Sequence, residues 1–251
     1  MRVTLDEIVE SQRAELATWP SALPTPKKAD GRFLRALQGP GVRVIAELKP
    51  ASPSAGVLRE AFSLDAILPA YNQHAHAISV LTEPRYFNGS FERLADVSQQ
   101  SPLPTLCKDF IVDVRQVLQA RLHGAQAVLL IVKILDDASL ATLHQAILDW
   151  GMIPVVEVQN REEVERAMAV SPQVVLINNR NLSTFEIDLN TTAQLAPRID
   201  GPLVIAASGI ETRADIERLL PFTQCFLIGS SLMRSPDPGA LLGALTGALL
   251  Q

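Results

Sequence analysis

Glu47 and Lys49 stand two residues apart in the apolar run Val44-Ile45-Ala46-Glu47-Leu48-Lys49, which passes into the loop Pro50-Ala51-Ser52-Pro53-Ser54. Residues two apart in a strand project to the same face, so a carboxylate and an ammonium enter one space. A buried ion without a partner costs several kcal/mol or gives up its charge. The pair is therefore either an internal salt bridge or one wall of a proton-transfer site, and the second reading requires charges at other strand ends. Lys108 and Glu157 meet that requirement, because each interrupts an apolar run of its own. Carboxylates and an ammonium aimed at one mouth shift one another's pKa values, as acid–base catalysis requires.

The elements that hold these residues are legible as a repeating pattern. Apolar runs too short for helices fall at 44–49, 77–82, 105–110, 127–132, 153–158, 174–178, 203–208 and 225–230. Stretches of helical period alternate with them, at 64–73, 91–99, 114–123, 138–150, 161–169, 191–196, 213–220 and 238–250. Strands covered on both faces are uniformly apolar, and eight strand–helix units in one chain are the count of a (β/α)8 TIM barrel. A doubly wound sheet, the alternative, uses fewer strands at this length. Residues 1–40 precede the repeat as a helical extension. They hold an amphipathic helix over 4–19, with a Thr4/Glu7 capping box, a proline-broken link, and a short helix over 31–37. The expectation is one α/β domain over 1–251, with 1–40 capping the barrel mouth.

Composition narrows the function classes. The chain has 251 residues, 47% hydrophobic and 20% charged, with a net charge of -5. An acidic balance argues against nonspecific nucleic-acid binding, while an anionic small molecule remains compatible with local charge in a cleft. No apolar run approaches the ~20 residues of a membrane helix, and Asp6, Glu7 and Glu10 interrupt the apolar core that a signal peptide needs. Cys107 and Cys225 are far apart, which suits a reducing cytoplasm. His74, His76, His123 and His144 lack metal-ligand spacing and read as surface or packing residues, so no metal is expected.

Strand ends carry two further features. Ser208-Gly209 and Gly229-Ser230 follow the seventh and eighth runs, where barrels often hold phosphate. Glycine permits close backbone approach and helix N-termini favour anions. Phe87, Phe110, Leu129 and Phe185 lie in or just beyond strand ends in a chain with only 5% aromatics. With Arg180, whose planar fork suits a carboxylate, they could seat an aromatic acid. Glu83, Asp109 and Lys133 read as solvated groups that end their strands.

At these residues the sequence resembles the indole-3-glycerol-phosphate synthase family. The resemblance rests on Ile45-Ala-Glu-Leu-Lys-Pro-Ala-Ser-Pro-Ser54, on Ile78-Ser-Val-Leu-Thr82 with Tyr86-Phe-Asn-Gly-Ser90, and on Lys108-Asp-Phe110. Asn178-Asn-Arg180 and Phe226-Leu-Ile-Gly-Ser-Ser-Leu-Met233 complete it. It implies closure of the indole ring of 1-(2-carboxyphenylamino)-1-deoxyribulose 5-phosphate with loss of CO2 and water, a step of tryptophan biosynthesis that needs no cofactor. By the same resemblance Lys108 is the general acid on the ribulose carbonyl and Glu157 serves the later proton transfers. Glu47 orients the lysine and handles leaving water, while Lys49 and Ser52 hold the anionic substrate. Asn178 and Arg180 position the reacting chain and the carboxylate. Phe87, Phe110 and Leu129 enclose the anthranilate ring, and Ser208, Gly209, Gly229 and Ser230 take the phosphate. The expected partners are this phosphorylated small molecule and other tryptophan-pathway enzymes, with no nucleic acid and no membrane.

Two departures stand out. The family's seventh strand ordinarily ends Glu-Ser-Gly, and this one ends Ala207-Ser208-Gly209. Pro50 and Ala55 stand where a basic residue is usual. The alternatives are therefore a weakened paralogue that binds the same substrate and a sister phosphate-binding barrel isomerase.

Overall fold

A computed structural model describes residues 4–53, 56–59 and 62–247. Eight parallel strands close into a barrel: β1 (Arg43–Leu48), β2 (Ala77–Leu81), β3 (Thr105–Lys108), β4 (Ala127–Ile131), β5 (Ile153–Val158), β6 (Val174–Asn178), β7 (Leu203–Ala207) and β8 (Cys225–Ile228). Closure comes from β1 pairing with β8 on one side, Ala46 opposite Ile228, and with β2 on the other, Glu47 opposite Ser79. The α/β barrel expected from the run count is the observed fold.

Strand alternation builds two apolar layers from each run. Val44, Ala46 and Leu48 of β1 join Ile78, Val80, Val156 and Ile177 in the layer beneath the outer helices. Ile45, Leu106, Leu129, Val155, Leu176, Ile205 and Leu227 fill the barrel interior. The interior columns are apolar at the floor and turn polar two residues later. Ile45 leads to Glu47, Leu106 to Lys108, Val155 to Glu157 and Leu176 to Asn178. The same period that packs the core thus carries those four polar side chains to the open end.

The N-terminal extension meets both ends of the barrel. Helix α1 (Leu5–Leu16) starts at Thr4, whose side chain and that of Glu7 form the predicted capping box. It lies by the mouth, where Gln12 reaches Asp109 just beyond β3. Helix α2 (Arg32–Leu37) seats at the floor: Phe33 and Leu37 pack with Ala77 and Cys225 at strand starts, and Cys225 Sγ donates to Leu37 O. Phe33 is fully buried, worth about 1.5–3 kcal/mol of transfer free energy.

Six strands end one or two residues before their apolar runs, those at 153–158 and 174–178 end with them, and several short elements were invisible to periodicity. Helices Pro84–Phe87 and Ser230–Arg234 follow β2 and β8. After β1, Ala51–Ser52 pairs antiparallel with Gly56–Val57, and the Pro50 carbonyl accepts from Leu58 N at 2.8 Å. Ser54 and Ala55 lie outside the described residues, as does the end of the helix expected to 250. Among the described residues no helix is long and apolar enough to cross a membrane.

Candidate active site

The polar ends of β1, β3, β5 and β6 converge. Glu47, buried to 3% exposure, accepts a charged contact from Lys49 Nζ at 2.9 Å and a long hydrogen bond from Ser79 Oγ at 3.5 Å. Burial alone would raise its pKa, but Lys49 and Lys108 overcome that and hold the carboxyl below its ordinary value. Its backbone is fixed as well, because the buried Tyr71 hydroxyl donates to Glu47 O at 3.1 Å. Removing one partner of a buried pair typically costs 3–5 kcal/mol, so Glu47 is committed to its place.

Across the cleft, Lys108 Nζ lies 3.8 Å from Glu157 Oε2. Asn178 Nδ2 donates to the other oxygen, Oε1, at 2.9 Å, and Asn178 Oδ1 accepts from Arg180 N at 3.0 Å. One oxygen of Glu157 is thereby anchored. Oε2 is buried with no hydrogen-bond partner among the described residues, so it faces the lysine with its lone pairs available. A carboxylate steered by an amide, opposite an ammonium, is a geometry for moving protons to and from a reactant between them.

Two adjoining cavities meet at this pair. One, of about 260 Å³, runs from Glu47 and Lys108 to Ser208, Gly209, Gly229 and Ser230. The other, of about 110 Å³, is walled by Phe87, Phe110, Leu129 and Phe185, with Glu157 and Ser52 at its edge. Lys49, Lys108, Asn178 and Arg180 border both, so a ligand can span them. The ring centroids of Phe87 and Phe110 are 5.8 Å apart. Arg180 donates from Nη1 to Phe185 O at 3.1 Å; burial and the nearby Arg234 lower its pKa.

The residues expected to act on the reactant, the ring or the phosphate all line one or both cavities. Gly229 has a packing reason of its own: a Cβ there would collide with Glu47 Oε1. Ser208 and Gly209 both adopt positive φ, +68° and +78°, a turn that glycine enters freely and serine rarely. Ala207 is buried beside the polar cavity, paired with Asn178 on β6.

Glu83 and Asp109 correct the expectation of solvated strand ends. Glu83 is 2% exposed and accepts from the backbone amides of Arg85, Tyr86 and Phe87, capping the short helix that carries Phe87. Asp109 is 4% exposed and bound to Gln12 and Thr82. Their partners are backbone amides and distant side chains, which charge placement alone does not reveal. Lys133 is exposed, as expected, and reaches Ser183 Oγ at 2.7 Å. Sequence reasoning missed Arg234, which lines the polar cavity and pairs with Glu211 at 2.9 Å. Its signal was there in the cation five residues after Gly229, on a helix too short to show a period.

Comparison with known proteins places the chain in a family. The family model for indole-3-glycerol phosphate synthase matches residues 5–245. The chain is 42% identical to an indole-3-glycerol phosphate synthase of Lacticaseibacillus paracasei, over 92% of this chain and 89% of that one. It is 45% identical to a tryptophan biosynthesis protein TrpCF of Vibrio cholerae, over 82% of this chain and 44% of that protein. It thus spans less than half the length of such TrpCF relatives. Among solved structures, 3-hexulose-6-phosphate synthase from Salmonella typhimurium superposes with a TM-score of 0.65 at 14% identity, covering 83% of this chain and 99% of that one, a likeness of fold alone. With motifs, barrel and a family match over residues 5–245 in agreement, the chain belongs to the indole-3-glycerol phosphate synthase family.

Proposed function

We propose that this chain closes the indole ring of 1-(2-carboxyphenylamino)-1-deoxyribulose 5-phosphate, releasing CO2 and water. The observation that carries the reading is the meeting of Lys108, Glu157 and Glu47 where a polar cavity joins an aromatic one. Phosphate lies among Ser208, Gly209, Gly229 and Ser230, and the anthranilate ring lies between Phe87, Phe110 and Leu129. Asn178 and Arg180 then hold the reacting chain and the carboxylate, with Lys49 and Ser52 on the near side.

Lys108 donates a proton to the ribulose carbonyl oxygen as the carboxyl-bearing ring carbon attacks the carbonyl carbon. The carbon–carboxylate bond breaks next, and its electrons restore the ring system. In the following dehydration Glu157 takes a proton from the adjacent ring CH2 and returns it to the new hydroxyl, which leaves as water as the ring double bond forms, while Glu47 balances the lysine and receives the departing water. Both carboxylates work in a site where water is largely displaced, which strengthens every such contact.

In this reading residues 1–251 act as one catalytic unit, with α1 over the mouth. It works in the cytoplasm beside other enzymes of tryptophan synthesis, a pathway that the TrpCF relatives' name also carries. Incubation with the substrate while following indole fluorescence tests the assignment. Product at a rate proportional to enzyme supports it, and none at high enzyme concentration overturns it. Ala207 favours one variant of the reading, a slow enzyme, because its methyl group supplies no carboxylate at the end of β7.

A further inference from the structure

A buried polar chain runs behind the catalytic lysine. Asp109 Oδ1 accepts from Gln12 Nε2 of α1 at 2.9 Å and from Phe110 N at 2.8 Å. Its Oδ2 accepts from Thr82 Oγ1, just past β2, at 2.6 Å. Gln12 Oε1 in turn accepts from Gln116 Nε2 at 3.3 Å, and the same Nε2 donates to Phe110 O at 3.1 Å. Gln12, Thr82, Asp109 and Gln116 are each at most 5% exposed.

This junction sits on the turn between two residues of the proposed site. Lys108 and Phe110 face the cleft, and Asp109 separates that cleft from a cavity beneath α1 lined by Trp19 and Phe91. Buried, fully bonded polar networks specify one geometry, because a partner left unpaired costs about 1–3 kcal/mol or more. None of the proposed chemical steps uses this carboxyl.

We propose that Asp109 is a positioning residue: bonded to Gln12 and Thr82, it lets α1 fix the turn that sets Lys108 opposite Glu157 and Phe110 against the substrate ring. The inference rests on Lys108 being the acid of the proposed reaction. A misplacement of about 1 Å at such a group can cost roughly 100-fold in rate, so the loss falls on kcat. Phosphate binding, built on β7 and β8, is left intact.

The groups facing this carboxyl are Glu83 beyond β2, Glu15 on α1, Cys107 on β3, and Glu92 and His123 along the cavity. Burial and the two nearer glutamates push Asp109 up to about 7, against the pull of its Thr82 and Phe110 bonds. Asn is the informative replacement. Its oxygen can accept from Gln12 and Phe110, and its amide can donate to Thr82, so the geometry survives without the titration.

The experiment compares Asp109→Ala, Gln12→Ala and Asp109→Asn with the parent. Steady-state kinetics are measured alongside the rate of Lys108 acetylation by acetic anhydride, read by mass spectrometry, with exposed Lys133 as internal control. Expected for the two alanine variants are a kcat lower by about 10- to 100-fold, a KM within about threefold, and a changed Lys108 labelling rate at constant Lys133 labelling. Asp109→Asn should restore kcat to near the parent value. The inference is overturned if Gln12→Ala, folded by thermal melt, keeps kcat and Lys108 labelling at the parent values, or if Asp109→Asn, equally folded, falls as far as Asp109→Ala. An inert parent would sink the proposed function, and the labelling rates would still decide this one.

Discussion

Lys108 and Glu157 face each other at 3.8 Å, longer than a hydrogen bond, while Asn178 grips the far oxygen of the carboxylate at 2.9 Å. The pair is held close enough to interact electrostatically and far enough apart to admit a reactant oxygen. Glu47 and Lys49, by contrast, close to 2.9 Å.

From that geometry, Lys108→Met and Glu157→Gln should each lower kcat by roughly 100- to 10,000-fold, the usual worth of a positioned acid or base. Glu157→Gln keeps an acceptor for Asn178, so its melting temperature should stay near the parent's. Stopped-flow indole fluorescence and a thermal melt separate the two effects.

Gly229→Ala should disable the enzyme from the opposite wall. The new Cβ collides with Glu47 Oε1, and Glu47 must move away from Lys49 or β8 must shift. A fall in kcat of at least tenfold is expected, with lost stability of roughly 1–3 kcal/mol from overpacking. A urea titration and an activity assay on the same preparation measure both, and an unaffected kcat would show that Glu47 is not held by this contact.

Ala207→Glu places a carboxylate where β7 meets the polar cavity, beside Asn178. If the cleft lacks only this group, kcat should rise by about tenfold, a modest part of what a general acid or base supplies. Unchanged or reduced kcat would mean that the surrounding side chains already compensate for the methyl group.

The pH dependence of stability should carry the signature of Asp109. Its folded pKa is raised, to about 7, chiefly by burial, so the folded state holds a proton that the unfolded chain releases near pH 4. Stability from this group is therefore greatest below the unfolded value, declines as pH rises between about 4 and 7, and is flat above. Glu47 runs the other way: its lowered pKa gives stability that is present above the unfolded value and lost as pH falls through the folded one. Against Asp109→Asn, the parent should melt progressively lower between pH 4 and 7, and parallel melting curves across that range would refute the shift.

The barrel was legible because both of its periods are strong: two within strands and one strand–helix unit repeated eight times. The site followed from the first period, since Glu47, Lys108, Glu157 and Asn178 occupy inward positions above Ile45, Leu106, Val155 and Leu176. Elements of four or five residues, such as Ser230–Arg234, were not legible, because a single turn has no period to detect. Asp109 was misread for a different reason. Its environment is set by Gln12, on a helix far away in sequence, and a charged residue at a strand end gives no sign of what will later cover it.

The contact between Gly229 and Glu47 ties the last strand to the first. Their meeting is among the most sequence-distant contacts of the barrel, and closing so long a loop carries a large entropy cost. The proposed acid–base site therefore lacks its Glu47 wall until the final strand is in place. During synthesis a ribosome-bound chain short of β8 should be without turnover, and fragments that omit it should gain activity only when the missing strand is supplied in trans.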